Sequence, residues 1–252
     1  MTTTVRAFQE GVGEAGGCAL IRVALIGNPN VGKSLIFNNL TGGRAHVGNW
    51  PGKTVERKVG RCVHRGVEME IVDLPGVYSL TARSIDELIA RNFIVEEKPD
   101  VVVDIVDASN LERNLYLTIQ LLELEANVVV ALNKWDIAGD LGYEIDVKEL
   151  SRLLGVPIVP TIATTQEGME ELKDAILRAA REGKRARHTI VDYGRKAEAL
   201  IGRIEETIRR DPELSRRYPT RWLAIRLLEG DEDALEKVKT SPLKDEILGG
   251  LE

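Results

Sequence analysis

The chain has 252 residues, with 34 basic against 40 acidic side chains, a net charge of −6, 43% apolar residues and two cysteines. That length can bury one generous domain or a domain with a small appendage, which sets aside a chain disordered throughout, and the charge argues against nonspecific nucleic-acid binding. No apolar run approaches the roughly 18 residues of a membrane-spanning helix, and Cys18 and Cys62 are too few for a disulfide framework or a cysteine zinc site.

Residues 1–20 read as an N-terminal extension. Met1 to Gly17 is glycine-rich, carries Glu10 and Glu14 beside Arg6, and lacks the apolar core of a secretory signal, so a cytoplasmic location and two inert thiols are expected. The apolar run Ile21 to Ile26 predicts a strand that leads straight into Gly27-Asn28-Pro29-Asn30-Val31-Gly32-Lys33-Ser34, a phosphate-loop pattern, and then a helix over Ser34 to Leu40. The spacing has a mechanism. Glycines let backbone N–H groups wrap a phosphate, the helix presents its positive N-terminal end, Lys33 reaches the β and γ phosphates, and Ser34 ligates Mg²⁺; Leu35 joins the nucleotide-binding set.

Val47 to Thr54 forms a glycine-rich loop in which Thr54 is the one threonine between Arg44 and Asp73, making it the choice for the second hydroxyl on Mg²⁺. Trp50 in that loop reads equally as a partner-facing anchor or as loop packing. Val55 to His64, with Val55, Val59 and Val63 among charged residues, predicts an antiparallel edge strand that turns at Arg65-Gly66. The strand Val67 to Asp73 then ends in Asp73-Leu74-Pro75-Gly76. This puts a carboxylate where open α/β sheets bind ligands, acting on Mg²⁺ through a bound water, and a glycine whose N–H can approach the γ-phosphate.

A capping box at Ser84 to Glu87 predicts a helix over Ile85 to Val95, and further helices are expected at Leu111 to Leu124, Val147 to Leu154 and Met169 to Arg181. The strands between them are Val101 to Val106, Val128 to Leu132 and Val156 to Pro160, which completes the rhythm of βα units around a mostly parallel sheet. Strand 128–132 delivers Asn133-Lys134-Trp135-Asp136. Asp136 is an acceptor-only carboxylate matched to the donors at guanine N1 and N2, whereas adenine would leave it unpaired. Asn133 braces the loop and base edge, the Lys134 stem covers the ring, and N–H groups of Thr161-Ile162-Ala163 are candidates for guanine O6. His46, His64 and His188 show no ligand spacing, so no histidine metal site is expected.

After Gly183 the strands stop, and apolar spacing at Ala197, Leu200, Ile201, Ile204 and Ile208, then Trp222 to Leu228, predicts a small all-helical part with Trp222 in its core. Its stretch Arg181 to Arg226 is locally basic, which fits ordinary solvated helix faces better than a lipid- or partner-facing surface. The fold expected is α/β: a P-loop GTPase domain over 21–182, a mostly parallel sheet flanked by helices, followed by an all-helical domain over 183–249.

With these residues in place the chain resembles the cytoplasmic GTPase region of the prokaryotic ferrous iron transport protein B (FeoB) family. The likeness is carried by GNPNVGKS from Gly27, VGNWPGKTVERKVG from Val47, DLPGVYSLTARSIDE from Asp73, NKWD from Asn133 and RWLAIRLLEGDE from Arg221, and it spans about Arg22 to Asp233. The resemblance implies a GTP-binding, GTP-hydrolysing domain with Mg²⁺, in which Lys33, Thr54, Gly76 and Asn30 serve catalysis. It also implies a helical domain that restrains nucleotide release or couples to a channel. Asn30 would hold K⁺, helped by backbone around Gly48 to Trp50. The partners implied are the membrane part of the same transporter and a small cytosolic regulator, with no nucleic acid and no stated oligomer. Two positions depart from better-equipped GTPases: Ile162 stands where many have serine, which bears on guanine affinity and release, and Val77 where many have a water-orienting glutamine, so intrinsic hydrolysis is expected to be slow. Arg83 is a candidate arginine finger, though an ordinary surface role fits it better. A nucleotide-dependent binding switch with incidental turnover and a ribosome- or RNA-associated GTPase are the competing readings.

Overall fold

A computed structural model describes residues 20–183 and 191–251. Cys18, His188, the extension before Leu20 and the start of the expected helical domain at 184–190 lie outside them. The sheet has seven strands in the order β2-β3-β4-β1-β5-β6-β7: β1 Ile21–Gly27, β2 Ala45–Asn49, β3 Glu56–His64, β4 Val67–Asp73, β5 Val101–Asp107, β6 Val128–Asn133 and β7 Ile158–Thr161. Pairings β1 with β4 and β5, β5 with β6, and β6 with β7 are parallel, whereas β2-β3 and β3-β4 are antiparallel. Every residue of β5 and β6 is buried, as continuous apolar runs covered on both faces require.

The expectation of an edge strand at Val55 to His64 needs correcting, because β2 pairs with β3 through His46↔Val59 and takes the edge itself. All five residues of β2 are exposed and show no alternation, so nothing but backbone pairing marks it as a strand.

Alternate residues of the central strands face two cores. Val23 and Leu25 of β1 join α1 (Lys33–Thr41) through Ile36, Phe37 and Leu40 on one side, with Leu172 and Ile176 of a later helix. Ala24 and Ile26 look the other way, toward α2 (Ile85–Asn92) and α3 (Leu111–Glu123). The Ser84 hydroxyl caps α2 by accepting from Glu87 N–H at 3.1 Å. The Glu87 carboxylate turns elsewhere, to Ser79 Oγ at 2.8 Å and the Arg83 N–H at 2.9 Å, so it pins the loop before the helix. α2 stops at Asn92 rather than Val95, passing into a π-helical turn, Phe93–Glu97, that ends in Lys98 at φ 47°.

A six-residue helix not expected from the sequence, α4 (Trp135–Asp140), follows β6 directly; α5 (Val147–Leu154) and α6 (Met169–Glu182) complete this part. Beyond it come α7 (Arg195–Arg209), α8 (Pro212–Arg217), α9 (Thr220–Leu228), α10 (Glu232–Val238) and α11 (Lys244–Gly249). Asp211 and Asp231 cap α8 and α10. Trp222, Ile201, Ile204 and Ile208 are buried, and their core runs without a break into the apolar layer over α2 and α3. No helix among the described residues is long and apolar enough to cross a membrane.

Candidate nucleotide site

The carboxyl ends of the parallel strands share one rim. Gly27 ends β1 opposite Ile105, Asp73 ends β4 opposite Leu25, and Asp107, Asn133 and Thr161 lie side by side at the ends of β5, β6 and β7. With β4 on one side of β1 and β5 on the other, the rim beside β1 is the place where open α/β sheets hold ligands.

The loop from Gly27 to Ser34 is shaped by close approach. A Cβ on Gly27 would sit 2.5 Å from the Ile105 carbonyl oxygen, and one on Gly32, at φ 94°, would sit 2.3 Å from Asn133 Nδ2. Asn30 adopts φ 67° at the exposed crest. No side chain caps the N-terminus of α1 and no acidic residue lies in its first turn, which suits an anion there. Asn28 is 3% exposed, and both heteroatoms of its amide lack a hydrogen-bond partner among the described residues. Lys33 and Asp73 form an ion pair with each other, both largely buried. Ser34 is exposed at the head of α1, and Gly76 lies 3.5 Å from Pro29 Cα, measured from where its Cβ would be. Phosphate loop, Asp73 and Gly76 are thus brought together.

Thr54 makes no bond to them. It is exposed in the loop after β2, and among the described residues no hydrogen bond or ion pair joins it to the phosphate loop. Of the two readings left open for Trp50, the side chain takes the packing one: it is 7% exposed and meets Phe93 edge-on at 5.5 Å.

Asn133 ties the two ends of the site. Its Nδ2 donates to the Val31 carbonyl at 2.7 Å, while Oδ1 accepts from Ala163 N–H at 3.0 Å and Thr161 Oγ1 at 3.4 Å. The Ile162 N–H donates to Glu167 O at 3.0 Å, so the N–H groups of both Ile162 and Ala163 already have acceptors inside the protein. Lys134 sits at φ 59°, a strained conformation of the kind that gathers at functional sites, and its ammonium is 2.6 Å from Asp107 Oδ2. Burial raises the proton affinity of Asp107, but Lys134 and the Ser109 hydroxyl and N–H overcome it and hold the carboxyl below its usual range. Asp136 is exposed in the first turn of α4.

Several positioning residues were missed by reasoning from motifs. Asp107 carried a signal, an acid at the end of a buried strand just like Asp73. Arg91 carried none: it is fully buried, with Nη1 2.6 Å from Asp231 and Nη2 2.6 Å from Asp233, and its guanidinium lies 5.7 Å from the Trp222 ring. The same side chain donates to Leu80 O at 3.4 Å, and Leu80 N–H donates to Gln120 Oε1 at 2.7 Å. The loop after Asp73 is therefore bound to the helical part. Arg83, the finger candidate, is exposed.

A family model described as ferrous iron transport protein B matches residues 21–176, and a second, the FeoB cytosolic helical domain, matches 193–250. The chain belongs to the FeoB family. Among curated FeoB relatives, the Fe(2+) transporter FeoB of Methanocaldococcus jannaschii is 52% identical over 225 residues, covering 89% of this chain. A Porphyromonas gingivalis protein, an Fe(2+) transport protein A/Fe(2+) transporter FeoB fusion, is 44% identical over 88% of the chain. The chain spans 33% and 27% of those two relatives' length. Among solved structures, the cytosolic domain of T. maritima FeoB in a GDP form superposes with a TM-score of 0.83 at 40% identity, covering 92% of both chains. Its GMPPNP form gives 0.81 at 40% identity over 92% of this chain and 91% of that one. An S. thermophilus NFeoB mutant bound to mGDP gives 0.80 at 36% identity, over 92% and 88%. The architecture is therefore that of a FeoB P-loop GTPase domain with its helical companion.

Proposed function

We propose that this chain binds GTP and GDP, hydrolyses GTP slowly, and controls or drives ferrous iron uptake through the membrane part of a FeoB transporter at the cytoplasmic face. The observation that carries the reading is the shared rim: the phosphate loop, Asp73-Gly76 and Asn133-Asp136 lie at the carboxyl ends of β1, β4 and β6, on one edge of the sheet, which supports phosphates at one end and a base at the other. FeoB relatives named as Fe(2+) transporters, and FeoB structures with GDP and GMPPNP, support it. The G domain would run over 21–182 and the helical domain over 183–249.

On this reading Lys33 exchanges Asp73 for the β and γ phosphates, which an ammonium at the head of α1 can reach without moving its helix. The N–H groups of the Gly27 to Leu35 segment hold the phosphates, and the unpartnered Asn28 amide offers a buried donor and acceptor beside them. Ser34, Thr54 and, through water, Asp73 are the oxygen donors that would hold Mg²⁺, which supplies charge neutralisation at the β and γ oxygens. Asn30 would hold K⁺, a positive charge near the phosphates. Gly76 directs its N–H at the γ-phosphate, whereas Val77 offers nothing to orient water, so turnover is slow. Asp136 reads N1 and N2 of guanine. O6 falls to backbone of residues 161–163, after a local change of partners, since two of those N–H groups are occupied.

Phosphate release from GTP and ATP in matched KCl and NaCl, with Asn30→Ala as control, tests this. Faster GTP turnover in KCl, absent with ATP and lost in the variant, is the expected result. Equal rates in both salts would remove K⁺ from the reaction and favour a binding switch with incidental turnover. Equal use of ATP would overturn the guanine reading.

A further inference from the structure

We propose that Trp50 is a positioning residue for switch I, the loop carrying Thr54: by docking on α2 it sets where that loop rests and so biases the protein between its two nucleotides. The inference builds on the nucleotide reading above.

Switch I is polar and exposed from β2 through Thr54, and Trp50 is its one deeply buried side chain among the described residues. The loop closes tightly around it. Trp50 N–H donates to Val55 O at 2.9 Å and Lys53 N–H to Trp50 O at 3.0 Å, so indole and Thr54 travel as one unit. The indole meets Phe93 at an interplanar angle of 74°, at the junction where α2 gives way to the π-helical turn, and the Arg57 guanidinium covers its ring at 5.0 Å. An edge-to-face aromatic pair under a cation holds a loop well.

The docking is also incomplete. Trp50 Nε1–H, Arg57 Nε–H and Asn92 Oδ1 are all buried there without hydrogen-bond partners among the described residues. A cavity of about 270 Å³ borders the ring, lined by Pro51, Leu88, Ile89 and Asn92 among others. Unmet polar groups and missing packing partners on one side weaken the contact, so the ring is held yet releasable.

With Trp50 docked, no hydrogen bond or ion pair joins Thr54 to Ser34 or Asp73 among the described residues. A nucleotide that recruits Thr54 must therefore lift the indole from Phe93, whereas one that leaves switch I alone need not. By linkage, docking favours GDP over GTP by the strength of the contact. α2 is also the helix whose Glu87 pins residues 79–83 and whose Arg91 is held by Asp231 and Asp233, so switch I reports to the same element as the helical domain.

The test is the ratio of affinities for a fluorescent nonhydrolysable GTP analogue and fluorescent GDP. Trp50→Ala should raise that ratio in favour of the analogue by about three- to tenfold, the worth of an aromatic pair. Trp50→Phe keeps a ring against Phe93 and removes the orphaned N–H, so its ratio should stay within about twofold of the parent. In the unsubstituted chain, amides of Asn92 to Glu97 should exchange hydrogen faster with the analogue than with GDP. An unchanged ratio in Trp50→Ala, an equal shift in Trp50→Phe, or identical exchange with both nucleotides would each overturn docking. Failure of the unsubstituted chain to bind either nucleotide would overturn the nucleotide reading itself, and the docking proposal with it.

Discussion

Among the described residues the Asp136 side chain has no hydrogen bond or ion pair, and it stands exposed in the first turn of α4; on the proposed reading its worth lies in the two acceptors it offers a base. Replacing it by asparagine leaves one acceptor and adds a donor, which suits the 2-oxo edge of xanthine better than the 2-amino edge of guanine. Asp136→Asn should weaken GTP binding by at least about 10²-fold while gaining affinity for XTP, as competition against labelled GDP will show. Asp104 presents the opposite case, a carboxyl wholly inside the sheet. Burial raises it from 3.8 to about 7, with only the Thr118 hydroxyl at 2.6 Å to favour the ion. Folding therefore takes up a proton between those values. The stability this allows is complete below pH 4 and lost as pH rises through 7. Asp104→Asn should gain about 1–2 kcal/mol at pH 8 and almost nothing at pH 4 in denaturant titrations. At this scale the motif residues were legible because glycine, lysine and aspartate at fixed offsets follow strands. Asp107 and Asn28 were less so, since the role of Asp107 depends on Lys134, 27 residues on, and that of Asn28 on burial that no local pattern reveals; Glu87 was read as half of a capping box, but its carboxylate goes to Ser79 and Arg83 instead.

α2 joins three things: the loop after Asp73, the docked Trp50, and the helical domain. Its Arg91 is the strongest of those joints, a buried guanidinium shared between Asp231, the cap of α10, and Asp233. Truncation leaves Asp231 near the interior without a cation, while Asp233 keeps Lys237, so Arg91→Ala should cost about 3 kcal/mol in unfolding, and Arg91→Lys should recover only part because one ammonium cannot serve both acids. The buried strands were readable as apolar runs, and α5 as the expected helix over Val147 to Leu154. β2 was not, being exposed along its whole length, and α4 was hidden because a six-residue helix hardly completes one apolar period. The early end of α2 at Asn92 was equally invisible: the apolar residues Phe93, Ile94 and Val95 continue a helical pattern even though the backbone widens into a π-turn there.

Across the whole molecule the apolar layer over α2 and α3 continues into the helical domain through Trp222, Leu223 and Leu227, so the two parts share one core. Heating should therefore give one transition, with tryptophan emission and far-ultraviolet dichroism coinciding, where separately folded domains would give two. That there are two parts was evident from the point where strands cease. How they meet was not, because the joints are made by Arg91, Arg226 and Glu123, charged residues that ordinarily mark a surface. The basic stretch after Arg181 shows the same economy: Arg209, Arg210, Arg221 and Arg226 each face an acid of the same chain.

Asn133 acts as the pin of a clamp whose jaws are the loops at Val31 and Ala163, which on the proposed reading serve one end of a nucleotide each. Jaws on a common pin cannot close separately. Guanosine and pyrophosphate offered as separate fragments should each ready the site for the other, and damage at the base end should be felt as a slackened grip on phosphate.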